Sequence, residues 1–546
     1  MARLRKTLLI GLDGGTFDVI DPLLARGDMP NLARLIQRGV RGRLLSTIPP
    51  LTAAAWPSVL TGMGPGGHGV YNFGLVNHTT ATTGEGRIES SRRFAGSTLF
   101  DYVGQQGGRV LGVDIPMCYP PWPVEGRLLA SFPTPNPDRA FAYPPEWGAQ
   151  LDSMLPTLAG RRIDRVFGRL TPSRDVAHLE RRMRALVQHV CGLMRAESPD
   201  FTMMVTLSTD HFQHRYWDLR RDPPRPDDPL DAIYRIADRM IGRLVAEVGE
   251  DALVGVVSDH GGADKAMHNF LMYPWLMSQK LVAPRGEARA SVKRRITRIL
   301  RGILPAPLRP LVFLALPKRL KSAVWSLDRR DRTPYWPTTQ AYFVSLCHPY
   351  NGLSINLQGR EPQGIVPPGE YEPLRRRLIG ALLESRHPST GEKMVEGAWP
   401  REEIYSGPFL DDAPDVIFRT DMRYEARGGA GGEWTSPAEV AEKVTGAHHV
   451  EGIMVLAVDG AFRQRVEIRG ASVIDIAPTL LHAMGAPVPE GLQGRVLQEA
   501  MTDEFLRDHP QARGERLASI GAPPAEYTES EEQRVQETLR DLGYIE

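Results

Sequence analysis

Cysteine is scarce in this chain: Cys118, Cys191 and Cys347 are the only three among 546 residues, far apart and with no C-x-x-C pair. That spacing argues against a disulfide framework and a thiolate zinc site, and it fits a reducing compartment. A charge excess is lacking too. Lys and Arg number 66 against 65 Asp and Glu, for a formal net charge of +1. Bulk charge therefore points neither to duplex nucleic acid as a partner nor to an acidic solvating chain. Long apolar runs are also missing. Leu8 to Leu12 stops at Asp13 and is too short for a signal-peptide core, and Leu311 to Leu316 is closed off by Pro310 and Pro317. The expectation is a cytoplasmic protein. No internal repeat or low-complexity segment interrupts it.

The composition is ordinary for a globular protein, 42% hydrophobic and 24% charged, and the length suffices for a large core in one or two domains. Runs rich in Leu, Val, Ile and Met at 7–12, 109–115, 201–207, 252–258 and 452–458 predict buried parallel strands, continuous because both faces must be covered. Between them, 29–39, 176–197 and 228–248 carry helical patterns; the first has Pro30 near its start and Gly39 at its end. The alternation predicts an α/β domain with helices on both faces of a sheet.

Residues 285–332 differ, being dense in Arg and Lys and broken by Pro305, Pro307 and Pro310. They predict a basic helical cap at 281–336, extending to as far as about 440, inserted in a catalytic domain of 1–500. A solvated basic face is its plainest role; attraction of an anionic substrate or weak contact with a membrane surface through 285–332 are the sharper ones. The tail, 501–546, reads as helical and docked on the main domain, with Thr528 and Glu531 spaced as a capping box.

Three acidic residues, Asp13, Asp210 and Asp259, closely follow three of the apolar strands. Ligands of an open parallel sheet bind at that edge, and carboxylates gathered there repel one another unless a cation neutralises them. Asp210 and His214 are four apart, which puts both on one side of a helix. Asp259 and His260 are adjacent, with Gly261 and Gly262 expected to let the backbone bend so that the two side chains converge. His448 or His449, just before 452–458, is a further ligand. Mixed Asp/His ligation suits zinc, with manganese or iron as alternatives. In PPLTAAAWPSVLTGMGPGGHGVYNF (49–73), Pro49 and Pro50 keep the chain extended, and a following helix would place Thr52 at or near its N-cap. A threonine there is ordinarily a cap. Beside a divalent ion and free helix N–H groups its hydroxyl becomes a usable nucleophile.

Together with LDGGTFD (12–18), STDHFQH (208–214), VVSDHGG (256–262), GAHHVEGIMVL (446–456) and DIAPTLLHAMGAPVPEGLQGRVL (475–497), these pieces make the sequence similar to the type I phosphodiesterase/nucleotide pyrophosphatase family of the alkaline phosphatase superfamily. The likeness runs over most of 6–497, with the basic cap and tail least covered. It implies an alkaline phosphatase-like three-layer sandwich, with a mostly parallel central sheet and an inserted cap. It implies two divalent metal ions: Asp13, Thr52, Asp259 and His260 around the one that activates Thr52, and Asp210, His214 and His448 around the second, the family's G-x-H pattern selecting His448 over His449. His68, in GGHGV, matches a structural position.

The implied activity is hydrolysis of a small phosphorylated substrate, a nucleotide among the options, through a phosphothreonine on Thr52. One departure concerns the Asn that the family places after its HG-I motif: HGVYNF puts Asn72 one place out of register. Asn72, His211, Lys265 and His268 are the candidate substrate contacts. A phosphomonoesterase or phosphonate hydrolase of the same superfamily is the alternative activity, and a catalytically silent, metal-stabilised binding protein the alternative of another class. Thr52-Ala53-Ala54-Ala55 lacks the C/S-x-P-x-R motif of sulfatases.

Overall fold

The computed structural model describes residues 4–74, 88–135, 141–154, 172–217, 228–282, 336–429, 433–438, 445–517 and 527–542. All five anticipated runs are strands: Thr7–Leu12, Val110–Ile115, Phe201–Thr206, Leu253–Val257 and Glu451–Ala457. They form the centre of a nine-stranded sheet, in the spatial order Val466–Ser472, Val40–Leu45, Glu451–Ala457, Leu253–Val257, Thr7–Leu12, Phe201–Thr206, Val110–Ile115, Gly126–Ala130, Ala142–Tyr143.

Successive side chains of a strand point to opposite faces, and two cores result. Leu8, Ile10 and Leu12 pack with Ile20, Leu186 and Ile241 of helices Phe17–Ala25, Pro172–Glu197 and Pro229–Val248. Leu9, Met203 and Val205 pack with Trp56, Phe100 and Leu480 of helices Thr52–Thr61, Leu99–Gln105 and Ile476–Met484. This is the three-layer α/β arrangement.

One strand direction differs from expectation. Glu451–Ala457 runs antiparallel to both its neighbours, Val40–Leu45 and Leu253–Val257. A strand flanked on both sides and covered on both faces has the same continuous apolar run whichever way it points, so composition does not encode its direction. Val40–Leu45 has no such run. Its buried residues alternate with Arg41, Arg43 and Leu45, which are half-buried or exposed.

Beyond the main sheet, Ala341–Cys347, Tyr350–Ile355, Val416–Thr420 and Val395–Pro400 form a four-stranded antiparallel sheet. Leu374, Leu378 and Leu382, spaced four apart on helix Tyr371–Leu383, bury against it. A three-stranded sheet places His268–Leu271 between Tyr424–Arg427 and Thr435–Pro437. Residues 283–335, which hold nearly all of the expected basic cap, lie outside the described residues; the described part of its extension towards 440 is built mainly on these β-strands. In the tail, helix Glu529–Leu542 starts at Thr528, whose N–H and hydroxyl both donate to Glu531 Oε2 at 2.7 Å. Val535 and Leu539 of that helix sit in the main core. Among the described residues no helix is long and apolar enough to cross a membrane.

Gly11 ties the sheet to the helix that begins at Thr52. A Cβ at Gly11 would lie 2.4 Å from the outer ring of Trp56, so only glycine lets that indole cross the strand. Gly11→Ala is expected to destabilise the protein by about 1–3 kcal/mol through overpacking. Urea unfolding checks this as a lowered midpoint with an unchanged slope.

Candidate metal centre

Strands Phe201–Thr206, Thr7–Leu12 and Leu253–Val257 are adjacent, and their carboxyl ends bring Asp210, Asp13 and Asp259 together, all three buried. Asp13 Oδ2 accepts from Trp56 Nε1 at 2.8 Å, while Oδ1 faces Thr52 Oγ1 at 3.4 Å. Asp259 Oδ1 accepts from the Gly14 N–H at 3.1 Å. Its Oδ2 is buried without a hydrogen bond, 3.4 Å from His260 Nε2.

The three histidines have their tautomers set from behind. His260 Nδ1 is 3.0 Å from the Gly261 carbonyl, His214 Nδ1 is 3.0 Å from that of Gly446, and His448 Nδ1 is 2.8 Å from that of Pro50. A carbonyl only accepts, so each Nδ1 carries a proton and, in a neutral ring, Nε2 turns a lone pair to the front. His214 Nε2 and His448 Nε2 are 2.9 Å apart, and they lie 3.4 and 3.6 Å from Asp210 Oδ1. Two lone pairs and a carboxylate oxygen converging on one point repel unless positive charge lies among them. An Asp/His/His donor set of this kind fits a divalent ion of the zinc type. The donor atoms of Asp210, His214 and His448 lie within 4.8 Å of one another, and so do those of Asp13, Asp210 and His260. Asp210 therefore borders both groups. The His260 and His448 rings stack with centroids 3.8 Å apart.

Electrostatics agree with the geometry. Burial, then the charges of Asp259 and Asp210, push the Asp13 carboxyl well above the usual range, against hydrogen bonds from Trp56 and Thr52. Burial raises Asp259 as well. Burial acts the same way on Asp210, but His214, His448, His260 and His211 outweigh it and hold that carboxyl low. Burial, then His260, drives the His448 imidazole well down.

Thr52 is the first residue of its helix, and Leu51 occupies the N-cap without a side-chain cap bond. The Thr52 hydroxyl makes no cap either. It lies 3.4 Å from both Asp13 Oδ1 and His260 Nε2. The N–H groups of Ala54 and Ala55 both reach the Leu51 carbonyl, whereas those of Thr52 and Ala53 have no acceptor among the described residues. Free N–H groups at a helix start make a ready anion site, here beside a hydroxyl.

The pair Gly261–Gly262 acts differently from the expected bend. Both glycines lie in a strand, Gly261–Asp264, that pairs antiparallel with Gly446–His449 and sets Gly262 opposite His448. Close approach is what requires glycine there. A Cβ on Gly262 would sit 1.9 Å from Gln213 Oε1, and one on Gly261 would sit 2.1 Å from the Glu451 carbonyl oxygen.

The four candidate substrate contacts are dispersed. Asn72 Nδ2 donates to the Ser345 and Leu346 carbonyls at 3.2 Å, and Oδ1 accepts from the Phe73 N–H at 2.7 Å, so this buried amide ties its loop to the second sheet. His268 lies in the three-stranded sheet, with its ring stacked 5.4 Å from that of Tyr424. His211, half-buried, is close enough for its charge to act on Asp210. Lys265 lines a separate cavity with Asn269, Glu425 and Arg427. His449 lies outside the cluster, its Nδ1 accepting from the Glu451 N–H at 3.2 Å. His68 is engaged by Ser58 Oγ at 2.9 Å and by the Val70 N–H at 3.1 Å.

Sequence reasoning passes over several supporting groups. Trp56, four residues after Thr52 on the same helix face, was open to that spacing argument. Gln213 Nε2 and Thr209 Oγ1 donate to the Gly14 and Asp13 carbonyls at 2.5 Å, and Cys347 Sγ is 3.3 Å from His448 Nδ1. For Cys347, about a hundred residues from His448 in the chain, no local signal exists.

Comparison with known proteins agrees with this geometry. Residues 7–450 match the family described as type I phosphodiesterase / nucleotide pyrophosphatase. No curated protein matches significantly. Phosphonoacetate hydrolase from Sinorhizobium meliloti 1021, solved with phosphonoacetate, is similar at 15% identity and TM-score 0.52, over 87% of this chain and 94% of that one. An inactive variant of murine ectonucleotide pyrophosphatase / phosphodiesterase 5, solved with AMP, is similar at 12% identity and TM-score 0.50, over 91% of this chain and 100% of that one. At such identities the likeness is one of fold, and that fold is the alkaline phosphatase-like sandwich.

Burial holds the His68 imidazole neutral, its pKa pushed down to about 3 from 6.5. The unfolded chain takes up this proton below about 6.5 and the folded one does not. His68 therefore favours folding fully above pH 6.5, and the stability falls by up to about 1.4 kcal/mol per pH unit as acid is added towards 3. Urea unfolding between pH 7 and 5 is expected to show a shallower acid limb for His68→Asn than for the unchanged protein.

Proposed function

The chain belongs to the type I phosphodiesterase / nucleotide pyrophosphatase family of phosphoester hydrolases, and from that premise we propose that it cleaves a small phosphoester or phosphoanhydride through a phosphothreonine formed on Thr52. The observation that carries this reading is the hydroxyl of Thr52 at 3.4 Å from both Asp13 Oδ1 and His260 Nε2, at a helix start with free N–H groups.

Two divalent ions, one held by Asp13, Thr52, Asp259 and His260 and the other by Asp210, His214 and His448, would stabilise the anionic forms of the Thr52 hydroxyl and of the departing oxygen. Zinc suits these donors best. The remaining work belongs to the side chains. Thr52 Oγ1 can pass its proton to Asp13 Oδ1, 3.4 Å away. The N–H groups of Thr52 and Ala53 face the phosphoryl oxygens as negative charge grows on them. Oγ1 bonds to phosphorus as the bond to the leaving oxygen breaks, and the leaving group departs on the side of Asp210, His214 and His448. Water then attacks phosphorus and returns the Thr52 hydroxyl. Trp56 holds Asp13 in place throughout, and the Pro50 carbonyl keeps His448 Nε2 turned forward. AMP and phosphonoacetate, the ligands of the two similar structures, are small and carry a phosphate and a phosphonate group; the substrate class assigned here is likewise small and phosphorus-bearing.

Thr52→Ala is expected to lower kcat on a phosphodiester such as bis-p-nitrophenyl phosphate by about four orders of magnitude or more. Metal analysis of the same variant should find most of the metal retained, because six other ligands remain; full turnover would remove the nucleophile assignment. Chelation is expected to abolish turnover, added zinc to restore it, and the melting temperature to fall in chelator because bound ions favour the folded state.

A further inference from the structure

Gln213 is only 2% exposed and belongs to neither donor set, yet it touches three of the segments that supply them. It lies on helix Ser208–Tyr216 with Asp210 and His214. Those two turn towards each other, His214 Nε2 lying 3.4 Å from Asp210 Oδ1. The Gln213 amide turns instead to the end of the first strand, where Nε2 donates to the Gly14 carbonyl at 2.5 Å. A carbonyl only accepts, so the nitrogen is the end that faces Gly14, and the oxygen faces away from it. Oε1 is buried with no donor among the described residues, against Gly262, whose Cβ would lie 1.9 Å from it. Gly262 is paired opposite His448. The Gln213 main chain is crowded as well, since a Cβ on Gly446 would lie 2.5 Å from its carbonyl oxygen.

Gly14 is the joint between the two sets. Its left-handed backbone, φ +66°, brings it so close to the helix that a side chain would meet Gln213 Nε2 at 2.8 Å and Asp210 Oδ1 at 3.1 Å. Its N–H donates to Asp259 Oδ1 at 3.1 Å, and it follows Asp13 directly in the chain. Thr209 Oγ1 of the same helix donates to the Asp13 carbonyl at 2.5 Å. The helix that carries Asp210 and His214 thus grips the turn that carries Asp13 at two successive carbonyls, and through Gly14 it reaches Asp259.

We propose that Gln213 is a positioning residue that keeps the two donor sets in register: its amide fixes Gly14, and Gly14 fixes Asp259 beside Asp13, while Asp210 and His214 ride on the helix that bears the amide. The inference rests on the two-ion reading given above. Removing the amide deletes no ligand, so both ions should still bind. What changes is the placement of one set against the other, and an in-line displacement that needs both is sensitive to small misplacements. The loss therefore falls on kcat more than on KM. A packing role alone would be met by methionine, which is close to glutamine in length and volume.

The test uses the full-length protein loaded with manganese, because neighbouring Mn2+ ions couple their spins and the coupling, read by electron paramagnetic resonance, depends on their separation. Gln213→Met is expected to retain about two ions per chain, to lower kcat on bis-p-nitrophenyl phosphate by about tenfold to a hundredfold with KM moved less than about threefold, and to alter the coupled spectrum. Gln213→Glu has the same shape, and its ionised carboxylate cannot donate to Gly14, so it should behave alike; it also takes the place of the Met variant if that one does not fold. An unaltered spectrum, with or without a fall in kcat, overturns the assignment, and so does loss of an ion, which would make Gln213 a requirement for binding. Uncoupled manganese in the unchanged protein would sink the two-ion reading and this inference with it. Full turnover in Thr52→Ala would sink the nucleophile alone, and the spectra of the Gln213 variants would still judge the register.

Discussion

Mutual repulsion organises this molecule's centre. Three buried carboxylates and three imidazole nitrogens whose protons are held at the back converge at one edge of the sheet, and each group alone would be costly there. Burial raises Asp13 and Asp259 and lowers His448, while the surrounding histidines hold Asp210 low, so the scaffold by itself favours the anion at Asp210 alone among the three carboxyls and disfavours imidazolium at His448. Positive charge shared among the donors resolves the conflict. The same convergence places the Thr52 hydroxyl 3.4 Å from both Asp13 Oδ1 and His260 Nε2, where a bound cation would stabilise its anion.

What holds such a centre together is packing and backbone, more than the ligands themselves. Gly11 admits the Trp56 ring, which in turn fixes Asp13. The Pro50 carbonyl, two residues before Thr52, orients His448, so Thr52 and a histidine from the far end of the chain are positioned by one segment. Gly262 lets the Gly261–Asp264 strand lie against Gln213, which reaches the Gly14 carbonyl. These links join the strand ends, the Thr52 helix and the Gly446–His449 strand into one rigid frame, as a metal site with set ligand directions requires.

Much of this was legible beforehand, and the reasons are local. Apolar runs ending in Asp, and the four-residue step from Asp210 to His214, carry their meaning in short stretches of chain. The Thr528–Glu531 spacing is local as well, and one of the two capping-box bonds, from the Thr528 N–H to the Glu531 carboxylate, forms. What was not legible is the pairing of residues far apart in the chain. The Asn72 amide answers to Ser345 and Leu346, and the His268 ring to Tyr424, neither of which the neighbouring sequence announces. The Gly261–Gly262 pair was read as a bend because glycine's torsional freedom is a local property, whereas its lack of a side chain matters here only against Gln213 and Glu451.

The amino-acid sequence by itself determined the kinds of element, their order and the chemistry available: alternating strands and helices, strand-end carboxylates, histidines in reach of them, and a threonine at a helix start. Those follow from periodicity and spacing, which are written along the chain. Only the tertiary structure decided that Glu451–Ala457 runs against its neighbours, that two imidazoles meet nitrogen to nitrogen at 2.9 Å, and that Lys265 shares a cavity with Asn269, Glu425 and Arg427. Direction of pairing, approach distance and the sharing of a cavity are relations between segments far apart in the chain, and they exist only once the core has brought those segments together.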